Sequence, residues 1–112
     1  MDCIFCKIIK KEIPASIIYE DESIIVFNDI NPNAPVHLLV VPKIHIASLE
    51  QVTSENSEGI SKVFEVISKL SKQLDLKDGF RVVSNCGKNA KQSVAHIHFH
   101  ILAGKELTCK MG

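Results

Sequence analysis

No stretch of this sequence approaches the length of a membrane-spanning helix, so no such span is expected. Met1-Asp2-Cys3 carries neither the basic start nor the long apolar core of a secretory signal, and the chain is therefore expected to be cytoplasmic. There is no surplus of either charge, because 13 Lys and Arg balance 13 Asp and Glu. Without a basic excess the chain lacks the broad electrostatic footprint needed for nucleic acid or an acidic membrane surface, and neither is expected as a partner. Small nucleotides stay open, since they need only local donors. Repeats, low-complexity tracts and interior linkers are also missing. Residues 1–112 are read as one domain with one core. In a reducing compartment the four cysteines are expected as thiols rather than disulfides.

What the sequence does contain is a row of histidines. Only five occur, and three stand in Ser93-Val94-Ala95-His96-Ile97-His98-Phe99-His100-Ile101-Leu102. Successive side chains of a strand point to opposite faces. A strand here puts His96, His98 and His100 on one face and Ile97, Phe99 and Ile101 on the other. A helix would scatter the imidazoles around its axis. Each imidazole has two nitrogens to satisfy and titrates near neutrality. The row therefore fits a metal site or a nucleophilic histidine, against the plainer reading of an amphipathic strand.

The rest of the chain supplies the frame. Cys3-Ile4-Phe5-Cys6 is a C-x-x-C pair opening a short helical segment, and alone it is only half a zinc site. Ile17–Glu20 and Ile24–Phe27 read as strands joined at the polar Asp21-Glu22-Ser23 turn. Asn28 to Pro35 is rich in turn formers, and Asp29 there suits either a ligand residue or an Asx turn. His37–Pro42 is almost continuously apolar, as a central strand covered on both sides would be. Its His37, and His45 in the following loop or short helix, are either ligands or satisfied core histidines.

From Ser54 to Leu74, residues Ile60, Val63, Phe64, Ile67, Leu70 and Leu74 recur at helical spacing. Thr53, Ser54 or Ser57 offers a cap, and Asp78 and Gly79 mark the exit. Phe80–Ser84 is a fourth strand. It leads into the polar loop Asn85-Cys86-Gly87-Lys88-Asn89-Ala90-Lys91-Gln92-Ser93, where Asn85, Gln92 and Ser93 are candidates for holding an anion. The expectation is an α+β fold: a five-stranded antiparallel sheet, one long helix and a short N-terminal helix.

His96-x-His98-x-His100-Ile101-Leu102 matches the histidine triad signature. Cys3–Ile9, Glu12-Ile13-Pro14-Ala15, Phe27-x-Asp29-Ile30-x-Pro32, Ala34-Pro35-x-His37 and Gln92-Ser93-Val94-x-His96 follow in matching order. Over nearly its whole length the chain resembles the histidine triad nucleotide-binding (Hint) branch. The resemblance implies a homodimer with the α+β fold above. It also implies a hydrolase that binds purine nucleoside monophosphates and cleaves adenosine 5′-phosphoramidates or aminoacyl adenylates. His98 is implied as the nucleophile forming a covalent histidine–AMP intermediate, with His100 on the phosphate oxygens and His37 and Ser93 in a proton relay. Asp29 would take the ribose hydroxyls, and Asn85, Gln92 and Ser93 the phosphate. Phe5, Ile13, Phe27, Ile30 and Leu39 would line the purine slot. Catalysis in this family needs no metal. Some members nonetheless carry a structural zinc, and the matching ligands here are Cys3, Cys6, His45 and His96.

The chain departs from the animal members twice. Ala90-Lys91-Gln92 stands where a pair of glycines is usual, and Cys109 stands near the position of a C-terminal tryptophan. The competing readings are a non-catalytic nucleotide- or partner-binding protein and a dinucleoside polyphosphate hydrolase. The Gln92-Ser93 pair sides with Hint against the latter.

Overall fold

The computed structural model describes residues 3–110; Met1-Asp2 of the leader reading and Met111-Gly112 of the tail lie outside the described residues. Helix α1 (Ile4–Ile9) is followed by strands β1 (Ile17–Glu20), β2 (Ile24–Asn28) and β3 (Val36–Pro42). A 3₁₀ turn (Leu49–Gln51), helix α2 (Ser57–Gln73) and strands β4 (Arg81–Val83) and β5 (Phe99–Ala103) complete the order. The five strands form one antiparallel sheet in the order β1-β2-β3-β5-β4. This is the architecture expected from the sequence.

The β1–β2 hairpin turns where Asp21 Oδ1 accepts the backbone N–H groups of Ser23 and Ile24 at 2.7 and 2.8 Å. β3 lies at the centre, and every residue from His37 to Pro42 is buried. Its side chains part to two faces. Leu38 and Val40, with Ile24, Val26, Phe99 and Ile101, pack under the α2 stripe. Leu39 and Val41, with Ile25 and Phe27, pack under Phe5 and Ile8 of α1. Burying each large aliphatic side chain contributes about 1.5–3 kcal/mol. α1 is only six residues long, so it covers the β2–β3 part of its face and leaves the β5 part open. The site is built at the border of that cover, with His37, His96 and His98 buried and His100 half-buried.

Three details differ from the sequence reading. α2 begins at Ser57 rather than Ser54, and its N-cap is Asn56. The side chains of Thr53 and Asn56 are used in a turn ahead of the helix: Asn56 Oδ1 accepts from Thr53 N, and Thr53 Oγ1 from Glu55 N. The stripe is Ile60, Val63, Val66, Ile67 and Leu70. Phe64 and Leu74 flank it, 52% and 40% exposed, although the Phe64 ring still rests edge-on against Phe99.

The third difference concerns the histidine row. β5 starts at Phe99, so only His100 of the three lies in a strand. The β3–β5 register pairs Val40 with Phe99. Continuing it would set Ile97 against Pro42, which ends β3 and has no N–H to donate. The Ile97 N–H instead reaches the Ile46 carbonyl at 2.6 Å. The expected partition of faces holds all the same: Ile97, Phe99 and Ile101 join the α2 core, and the imidazoles point to the other side.

Candidate active site and metal centre

Two clusters meet at the triad. The first joins donors from three distant parts of the chain. Cys3 caps α1, and its Sγ accepts the Cys6 N–H at 3.3 Å, which places both thiols on one side of the first turn. His45 comes from the loop after β3, and His96 from the bend before β5. Cys3 Sγ lies 3.4 Å and Cys6 Sγ 3.6 Å from His96 Nδ1. Cys6 Sγ lies 3.3 Å from His45 Nδ1, and the two Nδ1 atoms are 3.0 Å apart.

A tetrahedral zinc holds its sulfur and nitrogen ligands roughly 3.3–3.8 Å from one another. Four of the six donor pairs stand 3.0–3.6 Å apart, and all four donors fall within 4.8 Å of one another. His96 Nε2–H donates to the Pro42 carbonyl at 2.8 Å, which leaves Nδ1 with a bare lone pair aimed at the cluster. Burial and the neighbouring Cys3 thiol push the Cys6 thiol up, so Cys6 is hard to ionise without a compensating cation. The donor set fits zinc. With four protein ligands such a site is closed, and the metal would act as a crosslink rather than a catalyst.

The second cluster is Asp29, His37 and His100. The backbone N–H of Asn33 donates to His37 Nδ1 at 3.0 Å. His37 therefore carries its hydrogen on Nε2, which lies 2.9 Å from His100 Nδ1 and 3.3 Å from Asp29 Oδ2. His100 Nδ1 then accepts, and the His100 hydrogen sits on Nε2. The same bonds argue against a metal here. Coordination through His37 Nε2 would move its hydrogen to Nδ1, against the Asn33 donor. Asp29 divides its carboxylate: Oδ1 accepts the Asn31 N–H at 2.8 Å in an Asx turn, and Oδ2 faces the histidines.

Burial pushes His100 down to about 4, helped by the neighbouring His98 and His37 and opposed by Asp29. The unfolded chain takes up this proton near pH 6.5, and the folded chain refuses it until about pH 4. Folding stability contributed here is therefore present above pH 6.5 and falls as pH drops toward 4. Denaturant midpoints measured across that window should show the decline, and a His100→Gln variant should flatten it. An equal slope in the variant would remove His100 as its source.

His98 lies between the clusters. Its Nδ1–H donates to the His96 carbonyl at 2.7 Å, so Nε2 presents a lone pair. Burial lowers its proton affinity, which keeps the ring neutral. The Phe5 ring stands edge-on to it at 5.0 Å, and the His100 ring lies 5.2 Å away. A neutral, oriented imidazole beside a hydrogen-bonded donor imidazole can attack an electrophile and steady developing negative charge.

The other sequence candidates divide. Phe5, Phe27 and Leu39 are buried together, with Ile13 partly buried against them, whereas Ile30 is 91% exposed. Asn85 lines a cavity of about 150 Å³ with Asn33, His37 and His100. Ser93 lines a different cavity, of about 440 Å³, beside Cys3 and His45. The Gln92 amide is engaged within its loop: Nε2 donates to the Ala47 and Val94 carbonyls, and Oε1 accepts the Gly87 N–H. Lys91 adopts φ 61°, the left-handed region glycine favours, so the loop keeps a glycine-like turn despite the lysine. Sequence reasoning missed Ser84, whose hydroxyl donates to the His98 carbonyl at 2.9 Å. It also missed the Asn33 N–H and the Pro42 carbonyl, since a main-chain group carries no residue signal.

Fold and site together define a small α+β protein with three alternating histidines at the start of a sheet strand, two of them buried and one half-buried. A family model described as "Scavenger mRNA decapping enzyme C-term binding" matches residues 2–111. The chain is 43% identical over 111 residues to a 14 kDa zinc-binding protein from Zea mays, covering 97% of this chain and 87% of that protein. It superposes on a histidine triad protein from Clostridium difficile with a TM-score of 0.95 at 47% identity, covering 99% and 97% of the two chains. A HIT family hydrolase from Clostridium thermocellum gives a TM-score of 0.94 at 41% identity, with 98% and 96% covered. The chain belongs to the histidine triad family.

Proposed function

We propose that this protein is a cytoplasmic nucleotidyl hydrolase of the Hint branch, a single domain over residues 1–112 working as a homodimer. It binds a purine nucleoside monophosphate and cleaves the P–N bond of adenosine 5′-phosphoramidates, or the mixed anhydride of aminoacyl adenylates. The observation that carries the reading is the 2.7 Å bond from His98 Nδ1–H to the His96 carbonyl, which leaves Nε2 free to attack. The likeness to a HIT family hydrolase from Clostridium thermocellum supports it.

In this reading the purine enters the slot of Phe5, Ile13, Phe27, Ile30 and Leu39, and Asp29 takes the ribose hydroxyls. Asn85 borders the phosphate beside His100, and Gln92 holds the loop that carries Ser93 toward it. His98 Nε2 bonds to the α-phosphorus as the P–N bond breaks, and the leaving amine takes a proton through Ser93. His100 Nε2–H donates to a phosphoryl oxygen, its tautomer held by His37. The proton that Ser93 relays to the amine comes from solvent; water then cleaves the histidine–AMP bond, giving its OH to phosphorus and a proton back to solvent, and AMP leaves. The Cys3, Cys6, His45 and His96 set would hold a structural zinc, which supplies a crosslink between α1, the His45 loop and the triad.

A quenched single-turnover reaction with an adenosine 5′-phosphoramidate tests this, with intact mass analysis of the protein. The expected result is an AMP adduct that forms and decays with turnover. Binding of AMP with no adduct would overturn it in favour of a binding protein. The name of the matching family model favours one second reading, attack on phosphoanhydrides. Faster adduct formation from a diadenosine polyphosphate than from the phosphoramidate would select that reading.

A further inference from the structure

The sheet does not hold the nucleophile. β5 takes up its ladder with β3 only at Phe99, so residues 96–98 lie ahead of it. Their anchors are few. Ile97 N–H reaches Ile46 O at 2.6 Å, one residue from His45. His96 is fully buried, with Nε2–H on Pro42 O and Nδ1 in the Cys/His cluster. Ser84 Oγ–H holds the His98 carbonyl from the end of β4. The His98 ring meets the His100 ring of β5 at 5.2 Å, and two further contacts orient it. One is the His96 carbonyl on Nδ1–H, and the other is the Phe5 ring against its face or edge at 5.0 Å. Both belong to the metal centre. His96 is one of its donors, and Phe5 stands between the donors Cys3 and Cys6, also touching the His96 ring at 5.9 Å.

We infer that the Cys3–Cys6–His45–His96 centre positions the nucleophile: with zinc bound, it fixes the tautomer and direction of His98 through the His96 carbonyl and the Phe5 ring. This rests on the reading of His98 as nucleophile. Phe5 acts here as a positioning residue, and His45 acts only through the centre, having no contact with His98. α1 is short, and its hold on the rest of the fold is the small cluster around Phe5 and Ile8. Release of the metal would free the Cys3–Cys6 turn from His96 and loosen both supports at once. A displacement near 1 Å at a reacting atom costs on the order of 100-fold in rate.

The test compares the zinc-loaded protein with His45→Ala. Metal content is measured, and the His98 imidazole is read by ¹⁵N–¹H NMR, which reports the tautomer and the Nδ1–H bond without turnover. Adduct formation from an adenosine 5′-phosphoramidate is timed alongside, with AMP affinity by titration. Expected are loss of zinc, loss of the protected Nδ1–H signal, and adduct formation slower on the order of 100-fold. AMP affinity should change far less. Wild type stripped with a chelator should behave as the variant, and zinc added back should restore it. An unchanged Nδ1–H signal and rate in metal-free protein would overturn the inference. So would native protein that binds no zinc. Global unfolding of both metal-free forms would also overturn it, by assigning the centre to the whole fold. If the wild type forms no adduct at all, the proposed reaction fails, while the NMR comparison still decides the positioning.

Discussion

His98→Ala should abolish adduct formation and lower turnover by at least about 10³-fold, the scale seen when a covalent nucleophile is removed. AMP should still bind. The slot residues Phe27 and Leu39 are held by β2 and β3, and Asp29 by its own turn, none of which depends on His98. The fold should also survive, because the β3–β5 ladder starts one residue later. His98→Asn is the sharper companion. Its side-chain amide can donate to the His96 carbonyl as Nδ1–H does, but it has no nucleophilic nitrogen. Loss of the adduct in both variants, with AMP binding kept, isolates the attacking nitrogen from the hydrogen bond. Turnover within tenfold of wild type in either would sink the assignment. Turnover lost together with AMP binding in both would make His98 part of the binding surface.

Much of this arrangement was legible because it depends on pattern. The alternation around Ile97, Phe99 and Ile101 fixes which side meets the core, and it does so whether or not the segment is a strand. The apolar run from His37 to Pro42 has no polar face to expose, which is why β3 lies in the middle. The stripe of α2 could be read from Ile60, Val63, Ile67 and Leu70, while Phe64 was misplaced because its spacing alone cannot say how wide the buried face is. The start of β5 was misjudged for a reason outside the segment: the partner at that register is a proline.

The resemblance implied a division of labour among five histidines, but the residues alone could not show what sets it. Three of their partners are main-chain groups: the Asn33 N–H, the Pro42 carbonyl and the His96 carbonyl. Each sets a tautomer, and together they decide which imidazole presents a lone pair at the site, which presents an N–H and which aims its lone pair at the Cys/His cluster. Asp29 illustrates the same point. Ligand and Asx turn were alternatives in the sequence, but in the fold one oxygen makes the turn and the other faces His37.

The pair Cys3→Ala, Cys6→Ala should yield protein without zinc and markedly less stable. The four donors close to within 4.8 Å only in the folded chain, since they come from residues 3, 6, 45 and 96. A metal that binds the native state alone stabilises it by mass action, by about 4 kcal/mol when its free concentration is 1,000 times the dissociation constant. For a domain of this size that corresponds to roughly 15–20 °C in Tm. The substitutions also remove a little packing, because Cys3 is buried beside Phe5 and Leu39. Chelator separates the two contributions. It should bring wild type down most of the way to the variant and leave the variant unmoved, since the variant has no metal to lose. The sheet should persist in both, because its core under α2 contains none of the four donors. A wild type isolated without metal, or one whose Tm ignores the chelator, would show that the cluster is no more than a thiol–imidazole hydrogen-bond network. In that case the hold of α1 on the sheet would rest on that network and on the packing of Cys3, Phe5 and Ile8.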